Sequence, residues 1–228
     1  MEKNYLIDFD KIPILRSMAS SARSVKFLKI KEIEAEDVET EEKVQEEFEF
    51  SGTQNEYIEY IAPVAMDIWK EYEILPSLTI AQGIIETYFG KYAIGWNITG
   101  VKACCNRDEI KNVFTIIVNG EEVTAGECVY HEGRYKVKLW TTEEYNGELQ
   151  KVKLWFAYYK TKEEFALSRY KVLSNENYYP GVIGETDYKK AVAATKRYAT
   201  SSEYVSAVIK VIEDYNLTVY DPQGILYK

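Results

Sequence analysis

A chain of 228 residues with 46% apolar side chains is long enough for one or two domains and apolar enough to bury a sizeable core. Its net charge of −9 is uneven: residues 31–50 carry ten acids against two lysines, about −8, so the remainder is close to neutral. That balance excludes a nucleic-acid protein, which needs a basic face for phosphates, and it accommodates a polysaccharide partner.

No apolar run approaches the roughly 18 residues that span a bilayer, and the N-terminus has no basic region followed by a hydrophobic stretch. The expectation is a chain with no membrane span and no signal peptide of its own.

Residues 1–50 read as an N-terminal extension and 51–228 as the folded domain. After Ile30 apolar residues are sparse, and KEIEAEDVETEEKVQEEFEF reads as a solvated acidic linker or an exposed helix; docking to a protein partner is its functional alternative.

From Asn55 the pattern changes. Ile58, Ile61, Ala62, Ala65, Ile68, Trp69 and Tyr72 recur at spacings of three and four, which predicts a helix with one buried stripe. Pro76 and Ser77 offer a break and a cap, and Leu78, Ala81, Ile85 and Phe89 predict the stripe of a second helix ended by Gly90 or Gly95.

The middle reads as β-structure. Asn119-Gly120 follows the run FTIIV, and Asn146-Gly147 separates YKVKLWTTEEY from ELQKVKLWFAYY, so two hairpins with tight turns are expected. Three helical segments follow: residues 162–172, a segment starting near Thr186 or Asp187, and one with Tyr204, Val205, Val208, Ile209, Ile212 and Tyr215 on one face. The fold class is therefore α+β, mainly helical with a small antiparallel β-hairpin lobe, an arrangement suited to a groove for a linear polymer.

The cysteines Cys104, Cys105 and Cys128, with His131 nearby, fit neither C-x-x-C nor H-E-x-x-H, so no metal and no cofactor is expected. Cys128 is expected either as a thiol or bridged to Cys104 or Cys105.

One acid stands out. In LPSLTIAQGIIETYFGKY, Glu86 lies on the flank of the apolar stripe, at the edge of the core rather than in open water. Burial disfavours the charged carboxylate, and a carboxyl still protonated at neutral pH is what a general acid needs to protonate a glycosidic oxygen. The plainer alternative is an exposed helix glutamate in a salt bridge.

A glycosidase usually needs a second carboxylate, and TTEEY supplies Glu143 and Glu144 just before the second turn. On a strand the two face opposite sides, so at most one enters a groove.

The stretch IAPVAMDIWKEYEILPSLTIAQGIIETYFGKYAIGWNITGVK resembles the start of the bacterial endo-β-N-acetylglucosaminidase family, glycoside hydrolase family 73. That family shows a helix, then I-x-P-S-x-x-x-A-Q-x-x-x-E-S-x-x-G, then N-x-x-G-x-K. Further on, Thr142-Glu143-Glu144-Tyr145 resembles its T-x-E-Y element, Phe156 with Tyr158 or Tyr159 its F-R-x-Y strand, and KRYATSSEY its Y-A-T-D-x-x-Y segment. The similarity runs from about residue 56 to 221. Departures are Thr87, Ile98-Thr99, Ala157 and Ser201, where the family has serine, its N-x-F-G element, arginine and aspartate.

The resemblance implies a lysozyme-like peptidoglycan hydrolase acting on the bacterial cell wall, with Glu86 as general acid. It puts Glu144 in the place of the second carboxylate, with Glu143 as the fallback one residue away, and Tyr198 beside the scissile sugar. Gln82, Asn97 and Lys102 fall on motif positions with packing or substrate contact as their roles, and Tyr88, Trp96 and Tyr204 are the aromatic candidates for sugar stacking. The alternatives are a lytic transglycosylase, which leaves an anhydro-sugar, and a glycan-binding or structural module without chemistry. Residues 103–134, which hold all three cysteines, are an addition to the β-lobe.

Overall fold

The computed structural model describes residues 48, 50–103, 105–118, 121–145 and 148–222, with Glu144 and Tyr145 described in their backbone alone. The acidic segment through residue 47, Cys104 and both Asn-Gly pairs lie outside the described residues.

Thr53 opens the first helix, α1 (Gln54–Tyr72), through a capping box: the Glu56 amide donates to Thr53 Oγ1 at 3.4 Å, and the Thr53 amide donates to Glu56 Oε2 at 2.6 Å. The 3.6-residue period buries Tyr57, Ile58, Ile61, Ala62, Ala65 and Ile68, while Trp69 and Tyr72 sit at its margin. Glu73, in the left-handed conformation at φ 55°, ends the helix.

α2 (Pro76–Thr87) differs from its expected form in three ways. It is not a one-sided stripe: eleven of its twelve residues are buried, and Glu86 alone keeps partial exposure. Ser77 is inside the helix rather than its cap, and the Ser77 amide instead donates to Asp221 Oδ1 at 2.9 Å, so the orphan donor is satisfied from the far end of the domain. Its end comes at Tyr88, before either glycine, with Tyr88, Phe89 and Gly90 all at positive φ. Two non-glycine residues in that region cost conformational energy, which the packing of Phe89 and of the Gly90 backbone against Tyr57 offsets.

The four strands form one antiparallel sheet in the order β1 (Ile110–Val118), β2 (Glu121–Cys128), β3 (Tyr135–Tyr145) and β4 (Glu148–Tyr158). Val118 pairs with Glu121 and Tyr145 with Glu148, so the antiparallel pairing of each hairpin runs up to its Asn-Gly pair. β3 and β4 pair along their whole length, whereas β2 and β3 share three residue pairs. Residues 103–134 thus extend the same sheet. Inside that extension Cys105 Sγ and Cys128 Sγ lie 3.1 Å apart.

The remaining helices are α3 (Lys162–Leu173), α4 (Tyr188–Ala194), capped by the Asp187 carboxylate, and α5 (Tyr204–Asp214), followed by a 3-10 turn, Leu217–Tyr220. On α5 the fully buried set is Tyr204, Val208, Val211 and Ile212, with Val205 and Ile209 half-buried. The main core gathers α1, α5 and the 3-10 turn around α2, and a second, smaller core lies under the sheet around Ala125, Val137 and Tyr158. No helix among the described residues is long and apolar enough to cross a membrane.

Residues 94–103 join the two lobes. Their backbone runs beside β4: Trp96 N–H donates to Tyr159 O at 3.0 Å, Ala157 N–H to Val101 O at 3.0 Å, and Ala103 N–H to Trp155 O at 2.9 Å. The acid-bearing end of α2 is thereby fixed relative to the sheet.

Candidate active site

Glu86 sits on the last turn of α2, at the one opening in an otherwise enclosed helix. Although the residue is partly exposed, its Oε1 is shut off from solvent and has no hydrogen-bond donor among the described residues. Its other oxygen lies against the Gly100 turn, where an added Cβ would stand 2.9 Å from Oε2. Gly100, at φ +67°, is thus required twice, for its conformation and for the room it leaves the carboxyl.

Burial pushes the Glu86 pKa up from 4.5 to about 8, and the negative charge of Glu143 adds to the rise; Lys102 and the Tyr204 hydroxyl pull the other way. A carboxyl in these surroundings holds its proton at neutral pH.

Glu143 comes from β3. Its carboxylate is mostly buried and accepts from Lys102 Nζ at 2.9 Å. The charge of Glu143 reaches Glu86. The Glu144 side chain lies outside the described residues.

Two tyrosines close the helical side. Tyr198 and Tyr204 stack with ring centroids 6.0 Å apart and 13° between planes. The Tyr198 hydroxyl donates to Thr99 O at 2.9 Å and so pins the Thr99-Gly100 turn against Glu86. Burial raises the pKa of both tyrosines, and the nearby Glu86 raises it further, so both remain phenols.

Behind Tyr204 is a wholly buried polar chain. Gln82 Nε2 donates to the Tyr204 hydroxyl at 2.6 Å, Arg169 Nη2 donates to Gln82 Oε1 at 2.6 Å, and Arg169 Nε donates to Thr79 Oγ1 at 3.1 Å. Gln82 therefore lies inside the protein, one step behind Tyr204.

The other sequence-derived candidates fall elsewhere. Asn97 spends its amide on the backbone, donating to Val101 O at 2.9 Å and Ala157 O at 2.8 Å and accepting from Val101 N–H at 2.9 Å; it ties the lobe-joining segment together. Trp96 is 3% exposed and packs in the core against Phe48 and Tyr60. Tyr88 turns toward Phe89, Tyr92 and Lys91 beyond the helix end. Glu86, Glu143, Lys102, Tyr198, Tyr204 and Gln82 are brought together.

Thr79 and Arg169 were missed by sequence reasoning, and for Arg169 a signal existed. Phe165, Arg169 and Leu173 are spaced by four and all buried, so an arginine occupies a stripe position of α3. No group of three metal-ligating side chains occurs among the described residues, and His131 lies in the β2–β3 turn, its amide donating to Cys128 O at 3.1 Å.

The chain and its fold have known relatives. The Bacillus subtilis protein exo-glucosaminidase LytG is 26% identical over 188 residues, which are 78% of this chain and 57% of that protein. The chain thus spans little more than half the length of that relative. The catalytic domain of the autolysin Auto from Listeria monocytogenes shares 26% identity with a TM-score of 0.52, over 76% of this chain and 91% of that one. A peptidoglycan hydrolase mutant from Sphingomonas sp. A1, at 20% identity and a TM-score of 0.54 over 77% of this chain and 100% of its own, has the same α+β, lysozyme-like fold. The family model for glucosaminidase, mannosyl-glycoprotein endo-beta-N-acetylglucosaminidase, matches residues 62–217 and so covers more than half of the chain, which belongs to this family, glycoside hydrolase family 73.

Proposed function

We propose that the chain hydrolyses peptidoglycan at the β-1,4 bond after N-acetylglucosamine, with Glu86 as general acid and Glu143 as second carboxylate. The observation that carries this reading is the contrast between two neighbouring acids. Burial keeps the proton on Glu86, and Glu143 is paired with the Lys102 ammonium. Two titratable groups held in opposed surroundings are the usual mark of divided acid and base roles.

Glu86 gives its proton to the leaving glycosidic oxygen. The Tyr204 hydroxyl then donates a hydrogen bond to the carboxylate left behind. Water activated by Glu143, or the acetamido oxygen of the substrate itself, attacks the anomeric carbon while the nearby negative charge steadies the oxocarbenium-like transition state. Tyr198 holds the Thr99-Gly100 turn in place beside this chemistry. Glu143 is assigned the role for which the motif pattern favours Glu144, because among the described side chains it is the acid whose charge acts on Glu86. The place of action is the bacterial cell wall.

Mass spectrometry of borohydride-reduced products from purified peptidoglycan tests the assignment. Reduced N-acetylglucosamine ends from the wild type, absent with Glu86→Gln, are expected, and their size distribution tells internal from terminal cleavage. Anhydro-muramic ends would make the chain a lytic transglycosylase, and no product from several wall types would make it a binding module.

A further inference from the structure

The addition to the sheet holds a group of side chains for which the glycosidic chemistry has no use. Cys105 Sγ lies 3.1 Å from Cys128 Sγ and 3.5 Å from Lys136 Nζ. Lys136, on β3, is 1% exposed; its ammonium also donates to Arg107 O and lies 4.4 Å from the centre of the Trp155 ring. No carboxylate is within ion-pair distance of it among the described residues. A buried cation without a counter-ion is costly, and a thiolate at Cys105 supplies the missing negative charge.

The two thiols are not equivalent. Cys128 is fully enclosed at the end of β2, whereas Cys105, in the segment leading into β1, is half-buried and within reach of a small reagent. A hydrogen bond from the Cys128 thiol lowers the Cys105 pKa against the opposing effect of burial, and the Arg107 backbone and the Lys136 ammonium lower it further. The thiolate is the reactive form of a cysteine, so both exposure and surroundings make Cys105 the entry point.

We propose that Cys105 is a site of thiol–disulfide exchange with small disulfides of the glutathione class, and that Cys128 resolves the adduct to close a Cys105–Cys128 bridge. The Cys105 thiolate attacks one sulfur of the small disulfide; that S–S bond breaks, one thiolate leaves, and a mixed disulfide forms on Cys105. Cys128 then gives its proton to a departed thiolate and attacks Cys105 Sγ, expelling the second small thiol. In all, the two cysteines lose two electrons and two protons, and the small disulfide is reduced to two thiols. From 3.1 Å the two sulfurs approach by roughly 1 Å to reach the disulfide bond length of about 2.05 Å.

The bridge closes a loop over residues 105–128, which contains β1 and β2. It ties the end of β2, where pairing with β3 is limited to three residue pairs, to the segment that pairs with β4 through Ala103 and carries Lys102 to Glu143. The inference concerns the sheet and stands whether or not Glu86 is the general acid.

The test is intact-mass spectrometry of the reduced, full chain after incubation with oxidised glutathione, followed by fragmentation of the cross-linked peptides. The wild type and Cys104→Ser are both expected to lose two hydrogens and to yield a Cys105–Cys128 cross-link. In the Cys104→Ser background, Cys128→Ser should stop at the first step and keep one glutathione on Cys105, whereas Cys105→Ser should leave the enclosed Cys128 unmodified. Oxidised Cys104→Ser should melt about 5–10 °C above its reduced form, and a reductant should reverse the shift. Fragmentation of the wild-type peptide assigns the bond without any substitution, so the test holds even if a variant does not fold.

A wild-type chain that forms no bridge with oxidised glutathione, or whose bridge joins Cys104 to Cys128, would overturn the proposal. So would a Cys105→Ser protein that closes a bridge as fast as the wild type.

Discussion

The helical lobe and the sheet treat their apolar residues differently. α2 is enclosed on every face by α1, α5 and the 3-10 turn, so that one carboxyl is its sole partial opening. The sheet covers a smaller core on one face and leaves Val113, Ile117 and Trp140 more than 60% exposed on the other. The difference teaches where each kind of acid can be held. A protonated glutamate needs the dry, enclosed lobe, whereas Glu143 is carried on a wetter element and is matched by the half-exposed Lys102.

The largest effect that separates the lobes is catalytic. Glu86→Gln keeps the shape of the side chain but cannot supply the proton, and a loss of about 10³-fold or more in kcat is expected on reduced-end assays. The same variant should be more stable than the wild type above pH 5. The folded-state pKa of Glu86 is raised from 4.5 to about 8, so its contribution to stability is fully present below pH 4.5 and is lost as pH rises through 8. Denaturant unfolding at pH 8 should show Glu86→Gln ahead by about 2–4 kcal/mol, with the gap closing toward pH 4.

Packing gives the next contrast. Ile84→Ala, in the wholly buried helix, is expected to cost about 3–5 kcal/mol, whereas Ile117→Ala, 64% exposed on the sheet, should fall within about 0.5 kcal/mol. Comparable losses would show that the two lobes are packed alike.

Glu143→Gln should lower kcat by about 10–100-fold and move the alkaline limb of kcat/KM downward, because a negative charge that raises the Glu86 pKa has been removed. Glu144→Gln, measured beside it, should leave that limb in place. The smallest effect belongs to the helix start: Asp221→Ala takes the carboxylate from the Ser77 amide and should cost about 1–2 kcal/mol without altering the pH profile.

Much of this was legible in the chain, and the limits have physical causes. The α1 stripe and both hairpins follow from periodicity and from Asn-Gly pairs, which are local signals, and the register from Tyr135↔Tyr158 to Tyr145↔Glu148 agrees with them. Glu86 was recognisable as an acid on an apolar flank. That α2 is enclosed all round was not, because the covering elements lie as far away as Tyr204 and Leu217. The Ser77 cap failed for the same reason: a carboxylate 144 residues away does what a local side chain was expected to do. Trp96 shows the ambiguity of aromatic residues, since the same ring suits a sugar face and a core, and here it packs with Phe48 and Tyr60. Choosing between Glu143 and Glu144 required knowing which strand face meets the end of α2, information that alternation alone does not contain.

The account turns on a proton held by Glu86 at neutral pH. Carbon-13 NMR of the glutamate side-chain carboxyls, with the wild-type spectrum compared with that of Glu86→Gln to assign the resonance, follows that proton directly. A titration midpoint near 8 for Glu86 is the predicted result. A midpoint near the ordinary glutamate value of 4.5 would mean that the carboxyl is already ionised when substrate arrives, and it would contradict the assignment of Glu86 as the general acid.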